Sequence, residues 1–246
     1  FISGKVGMLA GASWINMSCG VDLLKRNPEA ITRPYEIPSA DGKPVKSAVG
    51  WPVSHYWVVN KNCKYPEAII KMANNYRRLN DGTLEEYRKF FVAENADEYY
   101  KMAPVYTFDP MQTPNEYEQI SKALLAKDES LVAPSYLSKY RLALKWLESK
   151  DPSGYGAYFQ VSSEGAFEVG KKMFDEGRVF LTELRGPATP NYAKVKATLD
   201  KLENETFTNI IMGANVDEEF AKFVENWKKL GGDDATKEIN EIYNKK

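Results

Sequence analysis

The apolar positions of this chain follow two rhythms, short extended runs in its first quarter and a helical period after that. Residues 6–15 (V-G-M-L-A-G-A-S-W-I) are almost continuously apolar or small, the pattern of a buried strand entering a turn. A helix-like stretch follows to about Lys25. Pro28, Pro34, Pro38 and Pro44, with the pair Asp41-Gly42, predict loop and short extended structure over residues 27–47, turning at the Asp-Gly. Residues 47–60 are rich in β-branched and aromatic side chains and read as extended, with Pro52 excluding a central position in regular pairing.

The helical rhythm begins at Tyr65-Pro66-Glu67, where proline sits in a first turn that needs no N–H and an acid faces the positive end of the dipole. Ala68, Ile69, Met72, Ala73 and Tyr76 then recur at helical spacing to about Leu79. The pattern stays helical to about residue 150, broken at Asp81-Gly82, Pro104, Pro110, Pro114 and Pro134, and resumes over 164–176 and 192–212. A last long helix is expected from near Asp217, its N-cap, with Phe220, Phe223, Val224 and Trp227 as its apolar face and Gly231-Gly232 as its stop. Ile239, Ile242 and Tyr243 mark a short final helix over 235–243. A doubly wound domain needs more β–α alternations than these, so the missing strands are expected from an amino-terminal region outside this sequence.

Composition narrows the function. Thirty-three Lys and Arg against 34 Asp and Glu leave a formal charge of −1, which supplies no field for holding nucleic acid. Aromatic residues reach 13%, with 15 Tyr and 5 Trp, and flat amphipathic rings suit both cores and sugar-stacking surfaces. Cys19 and Cys63 have no metal-ligand spacing, and with His55 the sole histidine no metal or cofactor site is expected. Two buried thiols are the expected state, a disulfide the alternative. No run of about 18 apolar residues predicts a membrane span. The opening Phe1-Ile2-Ser3-Gly4-Lys5 reads as the middle of a folded element, so the chain is expected to be a fragment or a processed product.

Three segments carry a family resemblance. Phe1 to Met8 followed by Gly11-Ala12-Ser13-Trp14 resembles a strand that leads to a ligand-facing tryptophan. Val59-Asn60-Lys61-Asn62 with Tyr65-Pro66-Glu67-Ala68 is similar to a strand followed by a Pro-Glu-Ala helix. The longest runs from Leu202-Glu203 and Glu205-x-Phe207 through Ile210-Ile211-Met212-Gly213 to Phe220-x-x-Phe223-Val224-x-x-Trp227-Lys228-Lys229-Leu230-Gly231-Gly232, then Thr236-Lys237-Glu238-Ile239-Asn240. Together they resemble the family 1 extracellular solute-binding proteins, in particular the large lipoprotein-type members of Gram-positive bacteria. Gly7 stands where alanine is usual, and Ile242-Tyr243 where relatives often close on Trp-Tyr. The resemblance covers both ends and about half of the sequence, while residues 80–160 carry no recognisable motif.

The resemblance implies an α/β fold of the periplasmic-binding-protein-like class II, maltose-binding-protein-like, with two lobes around a ligand cleft. This chain would be its helix-rich carboxyl-terminal portion with incomplete sheets. Residues 1–48 would finish the second lobe, 49–110 cross the hinge into the first, and 111–246 return to the second. An amino-terminal half with the signal peptide, the lipid-bearing cysteine and most of the first lobe would be the partner of this portion.

Candidate ligand-binding residues follow from ring chemistry and setting. Trp14 projects from a turn of small residues, where its face suits a pyranose and its N–H a hydroxyl; an ordinary core tryptophan is the alternative. In residues 50–57 alternation would place Trp51, Val53, His55 and Trp57 on one face, with Trp51 and His55 facing the ligand and Trp57 packed. His55 has no acid or nucleophile motif beside it and is not a catalytic candidate. The segment Gly186-Pro187-Ala188-Thr189-Pro190-Asn191-Tyr192 resembles a family loop, so Thr189 and Tyr192 are candidates for hydrogen bonding a polyol, with a plain structural loop as the alternative. Tyr155, with Tyr158 and Phe159, is expected either to form a second aromatic wall or to pack a helix-poor segment.

The function that the resemblance implies is non-catalytic: an extracellular, lipid-anchored component of an ABC transporter that captures a carbohydrate, expected as an oligosaccharide, and delivers it to the permease transmembrane subunits. A cell-surface helical interaction module and a glycan-active enzyme are the alternatives. The enzyme would need two facing carboxylates or a metal site, and the sequence displays neither as a motif.

Overall fold

The computed structural model describes residues 1–50, 55–80, 103–109, 111–183 and 188–244. The described chain is mostly helical, with one small parallel sheet of two strands. It divides into two compact units, one gathering most of residues 1–180, the other residues from Leu181 onward with the segment at Val49. Each is described in turn.

In the first unit, helix α1 spans Ile15–Arg26, as the pattern predicts, and buries Cys19, Leu23 and Leu24. The run before it corrects the expectation of a buried strand. Residues 3–14 are exposed, Met8 at 86%, and they pair with no strand among the described residues. Helix α2 covers Ala68–Asn80 behind a turn in which the Ala68 N–H donates to the Tyr65 carbonyl at 3.1 Å.

Helices α3 (Gln112–Ala126), α4 (Leu137–Ser149), α5 (Tyr155–Val161) and α6 (Ala166–Asp175) build the main core. Ile120, Ala123 and Leu124 of α3 pack with Tyr140 and Ala143 of α4, Ala157 and Val161 of α5 and Phe167 of α6. An ion pair of 2.5 Å joins Lys139 to the buried Glu116 across α3 and α4, and the same ammonium lies 5.4 Å from the Phe167 ring centre.

Helix α5 occupies the middle of this unit, and all but one of its seven residues are buried. It approaches α1 closely because Gly156 has no side chain: a Cβ there would lie 2.6 Å from the Asn16 carbonyl oxygen and 2.8 Å from the Met17 Cα. Trp146, Tyr155 and Phe159 form a second apolar cluster with Leu24.

The proline-rich segment between α1 and strand β1 (Ser47–Val49) has no regular secondary structure, and Arg178 fastens it. The guanidinium donates to both Glu36 carboxylate oxygens at 2.7 Å, to Glu176 at 2.6 Å and to the Val45 carbonyl at 2.9 Å. Strand β2 (Val179–Leu181) follows directly and pairs with β1.

The second unit is built on α7 (Pro190–Ile211), α8 (Val216–Lys229) and α9 (Gly232–Tyr243). The predicted amphipathic helix is α8, but its N-cap is Asn215 rather than Asp217: the Asn215 side chain accepts from the Glu218 N–H at 3.1 Å. Gly231, at φ 92°, takes the left-handed conformation that stops α8 and starts α9. Cys19 is buried and Cys63 exposed, both as free thiols, which corrects the expectation of two buried ones.

Candidate functional site

Two segments of the first unit without regular secondary structure each present rings at positions two apart. His55 and Trp57 come from one, Tyr106 and Phe108 from the other. The rings meet around Tyr106. Trp57 stands edge-on to it at 5.5 Å and 88°, His55 lies at 5.8 Å, Phe108 at 5.4 Å, and His55 and Trp57 are 6.4 Å apart. Tyr76 of α2, buried at 5% exposure, contacts Tyr106 from 6.4 Å and gives the array a fixed floor.

The upper rings stay accessible: Phe108 is 53% exposed and Trp57 38%. Asp109 follows Phe108 directly and lies 3.9 Å from the Arg77 guanidinium, so a carboxylate and a cation flank the ring at its end. Such an arrangement offers apolar faces for stacking with charged hydrogen-bonding groups nearby. Tyr106 and Phe108 lie in the stretch that carries no recognisable motif. The i, i+2 spacing of their rings in Val105-Tyr106-Thr107-Phe108 is the one trace of them in the sequence.

The other candidates are placed as follows. Trp14 precedes α1 and is 57% exposed, a ring available to a ligand. Trp51 lies outside the described residues. Tyr155 is fully buried, its ring 4.9 Å from Trp146 and 4.7 Å from Phe159. Its hydroxyl accepts from the Thr32 N–H at 2.8 Å and donates to the Thr32 hydroxyl at 3.0 Å. The structure thus puts it in the core of a short helix and leaves it no surface for a ligand.

Thr189 and Tyr192 come together at the start of α7 in the second unit. Thr189 is the N-cap residue and is buried at 4%, and Tyr192 is half-buried with the Lys196 ammonium 5.9 Å from its ring centre. The helix end is closed by Glu238 of α9, whose carboxylate accepts from the Asn191 N–H at 3.0 Å. The Thr189 hydroxyl approaches it outside strict hydrogen-bond geometry and, with the amides of Asn191 and Tyr192, holds Glu238 below the ordinary carboxylate range. Thr189 therefore serves the helix start, and Tyr192 is the more accessible of the two.

A shallow hollow in the first unit lies between Arg33, Tyr35, Glu164 and Glu168, with Arg33 bonded to Glu164 at 2.7 Å. Among the described residues no cluster of His, Cys, Asp and Glu is arranged to hold a metal ion, and no helix is long and apolar enough to cross a membrane. No family model, no curated protein and no solved structure matches this chain.

Proposed function

We propose that the chain is part of a non-catalytic extracellular solute-binding protein of an ABC importer, and that it captures a carbohydrate by stacking it on the ring array of His55, Trp57, Tyr106 and Phe108. That array is the observation that carries the reading. Its rings are held from below by Tyr76, and exposed above, so the ligand meets a preformed surface and little side-chain entropy is lost on binding. Trp14 adds a second exposed ring. The class II two-lobe fold, a completing amino-terminal half with its lipid anchor on the outer face of the membrane, and delivery to permease subunits rest on the motif resemblance alone.

A thermal-shift and tryptophan-fluorescence titration against a panel of neutral oligosaccharides tests the proposal. A ligand that binds only the folded state raises the melting temperature by mass action. At least one oligosaccharide is expected to do so saturably and without being converted, and Trp57→Ala is expected to weaken it about tenfold, the loss of one well-placed aromatic contact. Product formation, or unchanged affinity in both Trp57→Ala and Tyr106→Ala, would refute it.

A further inference from the structure

The tip of the α7–α8 hairpin displays an apolar surface that its own unit leaves bare. Ile211 and Met212 are each 82% exposed, Val216 58%, Phe220 48% and Phe207 46%. The surface is continuous across the two helices, because Phe223 contacts both Phe207, at 6.3 Å, and Phe220, at 5.8 Å. Val216, Phe220 and Val224 are spaced four apart on α8, a stripe about 12 Å long at 1.5 Å per residue. That length matches two turns of an incoming helix.

Charge selects among the things that cover such a surface. From Leu202 to Val224 the sequence carries Glu203, Glu205, Asp217, Glu218 and Glu219 against one cation, Lys222. Glu205 is paired with Lys201 at 3.7 Å and Glu219 with Lys222 at 3.0 Å. Glu203, on the same i, i+4 row as Phe207 and Ile211, and Asp217 and Glu218 beside Val216 remain as an acidic rim. Acids in the first turn also favour α8 itself, but Glu203 belongs to α7. A second copy would bring like charges together, and an anionic lipid surface would be repelled.

We propose that this hairpin tip docks a basic amphipathic helix of a partner polypeptide, its apolar face on Ile211, Met212, Val216 and Phe220 and its Lys or Arg residues against Glu203, Asp217 and Glu218. The surface belongs to the second unit, apart from the ring array, so the two readings succeed or fail separately.

The test uses the whole chain and a fluorescent synthetic helix with an amphipathic Leu/Lys pattern, read by anisotropy. Saturable binding is expected, weakened about tenfold by Ile211→Ser with Met212→Ser and to a similar degree by Asp217→Asn with Glu218→Gln. Both exposed apolar substitutions should leave the far-ultraviolet circular dichroism unchanged. A Leu/Lys peptide of scrambled pattern, and a Leu/Glu peptide of the same pattern, are expected to bind at least about tenfold more weakly. Equal binding of either control peptide overturns the proposal, whatever the variants do. So does sedimentation showing a dimer that the serine variants abolish, or binding to phosphatidylglycerol vesicles that they abolish.

Discussion

Tyr155 shows how a single hydroxyl turns a ring from a surface candidate into a core residue. The phenol is fully buried between Trp146 and Phe159, which alone would leave its hydroxyl desolvated at a cost. Thr32 removes that cost by giving it a donor and an acceptor, and in doing so ties the chain after α1 to α5. In Tyr155→Phe the ring packing survives while the Thr32 N–H loses its partner. The expected loss is about 1–2 kcal/mol of unfolding free energy, measured by urea denaturation. A change smaller than the error of the measurement would mean that water replaces the phenol without penalty. Trp57 takes the opposite role from the same chemistry, because its ring rests on Tyr106 at 88° with its outer surface open.

Among the elements, α8 has the clearest origin in its sequence. Its apolar residues fall on one face, acids fill its first turn, Lys228 and Lys229 its last, and Gly231 ends it. The cap position was less legible, since Asn215 and Asp217 are both good cap residues and only the backbone geometry, extended at Asn215, separates them. Asn215→Ala is accordingly expected to cost about 1 kcal/mol, measured as a shift of the urea midpoint, while Asp217→Ala costs less. The reverse order would restore Asp217 as the cap. Helix α5 was hidden for a physical reason: a seven-residue helix buried on all sides has no polar face to set a period. The opening run misled for a related reason. Its apolar character predicts burial, yet residues 3–14 are exposed and meet no strand among the described residues. Of the ring array, His55 was legible from the aromatic segment around it, whereas Tyr106 became meaningful only through its contacts.

Across the whole molecule the near-zero formal charge conceals many local pairs, and these determine how stability responds to pH. Glu118, Glu129, Glu219 and Glu225 are each lowered by a hydrogen-bonded Lys or Arg, and Asp128 and Asp151 by Ser130 and Ser153. A carboxylate lowered on folding contributes stability that is complete above its unfolded value and lost as the pH falls through its folded one. Lys171, Lys196 and Lys222 are raised by Asp175, Asp200 and Glu219, so their contribution is complete below the unfolded lysine value and lost as the pH rises through the folded one. Stability from these groups is therefore level between the two ranges and falls on the acid side below the unfolded glutamate value of 4.5. Most of the pairs are exposed and screened by salt. Glu36 differs because it grips a buried guanidinium through both oxygens, and Arg178 holds its carboxyl below the ordinary value. In Glu36→Gln the chain is expected to be less stable at pH 6 and to lose less on acidification, so the two curves converge below pH 4.5. Urea unfolding from pH 6 to 3 in about 1 M salt isolates this contribution from the exposed pairs. Parallel curves for the two proteins would show that Arg178 fastens the proline-rich segment through Glu176 and the Val45 carbonyl without help from the Glu36 charge.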